Sequence, residues 1–81
     1  MGKYFSIVDG KVLDWKFIRQ QDDVVKFYIG EILVGQIFKL NNTYTGVLHG
    51  AHQYNGIGGF KLRHDAAAYL LFIGGYRTRH K

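Results

Sequence analysis

GGFKLRHDAAAYLLFIGG, residues 58–75, is the stretch of this chain that decides its fold. Its alanines and leucines favour a short helix over residues 64–73, and the glycine pair that follows is a natural C-terminal stop. The residues with helical i, i+3, i+4 and i+7 spacing, which should face a sheet, are Ala66, Tyr69, Leu70 and Ile73. Because a helix this short is unstable alone, packing against the rest of the chain must stabilise it.

The first part of the chain has the pattern of a β-hairpin. Strands are predicted over residues 3–8 and 11–18, on either side of Asp9-Gly10. An Asp-Gly pair tolerates the positive φ angles of a two-residue hairpin turn. The polar run at residues 19–23 interrupts the alternation and is expected to be a loop.

A three-stranded meander follows the hairpin. Its strands are predicted over residues 24–29, 32–40 and 43–49, with tight turns at Gly30-Glu31 and Asn41-Asn42. The middle strand is almost continuously apolar, which indicates a central position with both faces covered. Gly35 and Gly46 interrupt adjacent strands, where a missing side chain permits a bulge, a bend or the close approach of another element.

These elements predict an α+β fold. We expect an antiparallel sheet of about five strands, a hairpin plus a three-stranded meander, with one C-terminal helix packed on it. A small open barrel capped by that helix is the alternative. The 81 residues are predicted to form a single small domain, residues 1–81, with a basic C-terminal tail at residues 76–81.

The composition limits which interactions can stabilise this domain and bears on its cellular location. Six Phe, six Tyr and one Trp supply the dense core that so small a domain needs. The chain has no cysteine, so disulfides and cysteine-based zinc sites are excluded. No apolar run approaches the ~18 residues of a membrane span. We expect a cytoplasmic protein without membrane association.

The formal net charge of +5 belongs to the second part of the chain. Residues 1–31 contain five basic and five acidic residues, whereas residues 32–81 contain six basic residues and one acid, Asp65. A basic surface is typical of proteins that neutralise phosphates, so this asymmetry favours a nucleic-acid partner. Solubility alone also explains a charge of this size, and this alternative stays open.

The candidate nucleic-acid contacts are basic residues of the second part together with two tyrosines. Lysines and arginines would bind phosphates, and tyrosine rings would stack on bases. The predicted contacts are Lys39, Tyr44, Tyr54, Lys61, Arg63, Arg77, Arg79 and Lys81. The last three lie in the basic tail, which is either functional or a frayed, solvated end. In the glycine-rich loop at residues 50–59, Gly56-Ile57-Gly58-Gly59 is explained by loop formation, and a phosphate contact by its backbone amides is the alternative.

No motif points to a reaction. Ser6 is the only serine and lies in no nucleophile motif. Asp65 follows His64 directly, and adjacent helical residues do not face each other, so a favourable interaction with the helix dipole explains Asp65 better than catalysis. His49 and His52 have a His-x-x-His spacing, but zinc needs further ligands that the surrounding sequence lacks. We expect a non-enzymatic protein with no metal and no cofactor.

The order of elements resembles two related DNA-binding modules. A three-stranded meander, a Gly59-Phe60 step and an alanine-rich helix are similar to the plant ethylene-response-type domain and the arm-binding domain of phage integrases. The similarity covers residues 24–75 and favours DNA over RNA. It implies that a sheet enters the DNA groove, and the matched strands carry Lys26, Tyr28, Lys39 and Tyr44 but no arginine, which departs from the family pattern. The glycine-rich, proline-free composition also resembles small bacteriophage accessory proteins.

A second interpretation makes the sheet a protein-binding surface. If both faces of the strand at residues 32–40 are covered, the N-terminal hairpin, a second copy of the chain or a foreign protein must cover the face away from the helix. A homodimer would also enlarge a small core. The alternative function is a small phage-type accessory or inhibitor protein that binds a host protein, or itself, through an aromatic sheet face.

Overall fold

The fold is a curled antiparallel sheet with one helix. A computed structural model of the protein describes residues 4–50 and 56–80, and for residues 77–80 it describes the backbone alone. The elements in chain order are β1 (Tyr4–Val8), β2 (Lys11–Gln21), β3 (Val24–Ile29), β4 (Ile32–Leu40), β5 (Thr43–Leu48), β6 (Ile57–Phe60), α1 (Arg63–Ile73) and β7 (Arg77–His80). The strands lie in the order β6-β5-β4-β3-β2-β1-β7. The predicted α+β class is confirmed, with two short strands more than expected.

Tight turns join the first five strands, and each is two residues long. Asp9 and Gly10 have φ angles of 51° and 78°, and Asn41 and Asn42 have φ angles of 50° and 65°. These left-handed values are those of two-residue turns whose twist matches that of a hairpin. The prediction of a loop over residues 19–23 is wrong in extent, because the loop is shorter. Only the last two residues of that run form the turn, and the others continue β2 because they pair with β3.

Two short strands complete the sheet at its edges. β6 pairs with β5, so residues 57–59 belong to a strand rather than to the glycine-rich loop expected at residues 50–59. β7 pairs with β1 and places the backbone of His80 opposite that of Tyr4. Most of the segment predicted as a tail is therefore a strand whose backbone pairs with the N-terminal strand, rather than a frayed end.

β2 bends the sheet because it has different neighbours along its length. Residues 11–14 pair with β1, whereas residues 15–21 pair with β3. The helix follows β6 at one edge of the strand order and precedes β7 at the other, so it crosses one face of the sheet. It packs against β4, β5, β6 and β7. The curled sheet thus partly encloses the helix.

The helix buries a face that differs in part from the prediction. Its buried residues are Ala66, Ala67, Leu70 and Leu71. Two of the four predicted contacts are therefore confirmed, but Ile73 is 41% exposed and Tyr69 is only half-buried. The buried face is rotated toward Ala67 and Leu71 because strands contact the helix from more than one side.

Two strand glycines allow this packing. A Cβ atom at Gly46 would lie 3.0 Å from Leu70 Cγ, so the absence of a side chain lets the helix approach β5 closely. A Cβ atom at Gly35 would overlap the carbonyl oxygen of Val47, beside the β-bulge between β3 and β4. The predicted roles of strand glycines in bulges and close approach are both present.

The core combines the helix with aromatic and aliphatic residues of β2, β3 and β4. Its buried strand residues are Trp15, Phe27, Ile29, Val34 and Ile37. The Trp15 indole Nε1–H donates a hydrogen bond of 2.9 Å to Oγ of Ser6, which is fully buried. The two polar atoms satisfy each other, so neither is left unpaired in the core.

The face of the sheet away from the helix is called the outer face below. Alternation and register place on it the half-buried or exposed residues Lys16, Ile18, Lys26, Tyr28, Gln36 and Phe38. Of the three covers expected for this face of β4, the N-terminal hairpin is excluded within the described residues. The helix covers one face, but the N-terminal hairpin belongs to the same sheet and leaves the outer face without a second layer.

Candidate nucleic-acid interface

A groove at the helix N-terminus brings together cations and aromatic rings. We call it the basic groove; its volume is about 290 Å³. The residues that line it are Phe17, Arg19, Gln21, Asp23, Val25, Ile37, Lys39, Tyr44 and Arg63. They come from β2, β3, β4, β5, the turn before β3 and the first residue of α1.

Strand register explains why distant residues line one groove. Arg19 lies opposite Val25, and Val25 lies opposite Ile37, so the three form a row across β2, β3 and β4. Lys39 lies opposite Tyr44 in the neighbouring pair of strands. Side chains at cross-strand positions share a face, so all five point to the side of the sheet that carries the helix.

Aromatic stacking fixes the position of the helical cation in this groove. The rings of Phe17 and Phe27 are stacked, with centroids 5.1 Å apart and an interplanar angle of 20°. The guanidinium carbon of Arg63 lies 4.3 Å from the Phe17 ring centroid. A cation over a ring face is attracted by the ring quadrupole, and a guanidinium group also stacks on it. Phe27, Phe17 and Arg63 therefore form a column that begins in the core and ends in the groove.

The groove has an excess of positive charge. Its lining contains three cations, Arg19, Lys39 and Arg63, and one acid, Asp23. Arg19 also lies 3.6 Å from the carboxylate of Asp22, but both side chains are largely exposed, and such surface pairs contribute little. The cations thus remain accessible to an anionic ligand.

The structure brings together three of the eight predicted contacts. Lys39, Tyr44 and Arg63 line the basic groove, whereas Lys61 is exposed and lies outside its lining. The backbones of Arg77 and Arg79 belong to β7. The remaining two predicted contacts lie outside the described residues: Tyr54 and Lys81.

Sequence reasoning missed Arg19 and Phe17 as site residues. Arg19 begins a polar run, and such a run predicts a loop. The signal that identifies both was present, since Leu13, Trp15, Phe17 and Arg19 occupy alternate positions of one strand and so share a face.

The residues suggested by the resemblance to sheet-based DNA-binding modules fall on opposite faces. Lys39 and Tyr44 line the basic groove. Lys26 and Tyr28 lie on the outer face, opposite Gln36 and Leu33 respectively. A single sheet surface cannot present all four residues to one partner.

Two further cavities have mixed linings. One, of about 580 Å³, lies between the β1–β2 and β3–β4 turns and contains Lys11 and Lys16 beside Asp9, Asp14 and Glu31. The other, of about 260 Å³, lies on the outer face near Gln36 and His49. Within residues 4–50 and 56–80, no three His, Asp or Glu side chains converge as metal ligands would, and His52 lies outside these ranges.

No protein family matches the chain, and neither a curated protein nor a solved structure shows significant similarity to it. In the part of the chain that the structure describes, no helix is long and apolar enough to span a membrane. The geometry of the groove is therefore the basis for the function proposed below.

Proposed function

We propose that the protein is a non-enzymatic nucleic-acid-binding module whose main contact surface is the basic groove. The observation that carries this proposal is the convergence of Arg19, Lys39 and Arg63 with the rings of Phe17 and Tyr44 in one recess. Positive side chains bind phosphates, and aromatic faces accept bases of any sequence. Most of the affinity would come from phosphates.

The remaining predicted contacts would contribute further charge and aromatic surface to nucleic-acid binding. Lys61 precedes the helix by two residues and is exposed. The other contributors would be Tyr54, Arg77, Arg79 and Lys81. The resemblance of residues 24–75 to DNA-binding modules favours DNA over RNA as the partner.

The test is a binding panel with matched ligands. Fluorescence anisotropy would measure binding to single-stranded DNA, double-stranded DNA and RNA of equal length, each at 50 and 200 mM salt. We expect binding that weakens as salt rises, because phosphate neutralisation releases counterions. Failure to bind any of the three at 50 mM salt would exclude the proposed function.

A second function is favoured by the outer face of the sheet. Ile18 is 50% exposed there, and the rings of Tyr28 and Phe38 are only half-buried. A second copy of the chain would cover these side chains and add apolar burial that an 81-residue domain lacks. In this alternative the protein is a small phage-type accessory or inhibitor protein that binds a host protein, or itself as a dimer, through this face.

Light scattering on the samples of the binding panel separates the two functions. A monomer that binds nucleic acid supports the basic groove as the functional site. A dimer that binds no nucleic acid at low salt supports the protein-binding alternative.

A further inference from the structure

The column of Phe27, Phe17 and Arg63 ends at the guanidinium group of Arg63. Phe27 is fully buried, and Trp15 contacts it edge-on at a centroid distance of 5.3 Å and an interplanar angle of 75°. The ring of His64 lies edge-on to that of Phe17 with centroids 5.6 Å apart, and this contact restricts sideways movement of the Phe17 ring. Arg63 itself is exposed. The core thus holds a guanidinium group in place while its far side faces the groove.

A flat, electron-rich ligand is the kind of molecule that would stack on the exposed guanidinium plane of Arg63. Guanidinium planes stack on nucleobases in the way that aromatic rings do, and unpaired bases are the usual targets of such stacking. The ring of Tyr44 provides a second aromatic surface in the same groove, with Lys39 Nζ 6.0 Å from its centroid. Arg19 and Lys39 supply positive charge for the phosphates on either side of the base.

The shape of the groove suits a projecting nucleotide better than a base pair within a duplex. The cations line a recess of about 290 Å³, near the lower end of the ~300–1,000 Å³ typical of small-ligand pockets. Reading a duplex requires an element that projects into a groove ~12 Å wide, whereas a recess takes a nucleotide that projects from the nucleic acid. A recess of this size suits one nucleotide.

From these observations we infer that the basic groove binds one unpaired nucleotide of a single strand, with its base stacked on Arg63. This inference rests on the proposed nucleic-acid function and specifies its ligand. Single strands, loops and frayed ends qualify as partners, and continuous duplex does not.

The test compares three fluorescently labelled DNA ligands of the same length with the intact protein. They are a single strand with all its bases, the same strand with abasic sites throughout its central part, and a duplex. Because a stacked base typically strengthens binding ~5- to 150-fold, we expect the abasic strand to bind weaker by a factor in this range. The duplex should bind no better than the abasic strand.

A conservative substitution tests the stacking layer itself. Arg63→Lys keeps the charge but removes the planar group, so we expect it to lose most of the preference for the intact strand over the abasic strand. Lys16→Arg is a conservative change at an exposed residue outside the groove and should keep the full preference for bases. Thermal unfolding of both variants would verify that they fold, as expected for exposed positions.

The outcomes distinguish this inference from the proposed function. Three results would each overturn the single-nucleotide inference while leaving nucleic-acid binding intact: equal binding of intact and abasic strands by the unaltered protein, tighter binding of the duplex than of the intact single strand, or an undiminished base preference in Arg63→Lys. Absence of binding to all three DNA ligands would overturn the inference, and absence of binding to the RNA of the binding panel as well would also overturn the proposed function.

Discussion

Removing two groove cations should change how strongly binding depends on salt. The variant R19Q/K39Q leaves Arg63 as the only cation in the groove lining. For a single strand, the slope of log affinity against log salt is about −0.7 per neutralised phosphate. If each of the three groove cations neutralises one phosphate, their contribution to the weakening of binding between 50 and 200 mM salt is ~18-fold in the unaltered protein and ~3-fold in the variant.

The assay is fluorescence anisotropy with a labelled single strand at four salt concentrations in this range. The matched control is K11Q/K16Q, which also lowers the net charge of +5 by two but changes residues outside the groove. We expect the control to keep the steep slope. Equal slopes for the two variants would refute the reasoning, since they would show that overall charge, rather than the groove, determines binding.

Four further variants test the packing and the C-terminal strand. Ser6→Ala removes the acceptor of the buried Trp15 indole N–H and should lower the free energy of unfolding by ~1–3 kcal/mol in urea denaturation; an unchanged midpoint would contradict the buried hydrogen bond. Gly35→Ala should lower the free energy of unfolding by ~1–3 kcal/mol, and by more than Gly46→Ala does. The added Cβ atom meets a backbone carbonyl in the first variant and a side chain that can move in the second; equal denaturation midpoints would argue against this packing. Neutralising the basic C-terminal residues should weaken nucleic-acid binding and flatten its salt dependence, whereas unchanged binding would remove them from the mechanism. That variant is R77Q/R79Q/K81Q.

Local signals were sufficient to predict most of the fold. Asp9-Gly10 and Asn41-Asn42 specify turns through their tolerance of positive φ, and these turns set the register of the strands beside them. The alanine-rich segment identified the helix within one residue of its start. These features depend on interactions between near neighbours in the chain.

The parts that could not be predicted depend on contacts between distant segments. Four polar or basic residues form β7 because β1 offers an unpaired edge, and nothing within the segment itself indicates a strand. The end of β2 is likewise polar, and it is extended because Arg19 and Gln21 pair with β3. Tertiary pairing overrides local propensity in both cases.

The candidate site was predicted in part for the same reason. Charge and residue type identified Lys39, Tyr44 and Arg63, which the structure brings together. The groove also contains Arg19, whose place depends on the corrected extent of β2. The contact between Arg63 and Phe17 joins the helix to a strand far away in the sequence, so no local pattern reveals it.

The pairing of β1 with β7 has a consequence for synthesis of the protein. β1 pairs with β2 on one side and with β7, residues 77–80, on the other. During translation the first hairpin can form early, but one edge of β1 stays open until β7 has left the ribosome. An open edge is a template for pairing with other chains. Chains cut short before residue 77 should therefore aggregate more readily than those that include β7.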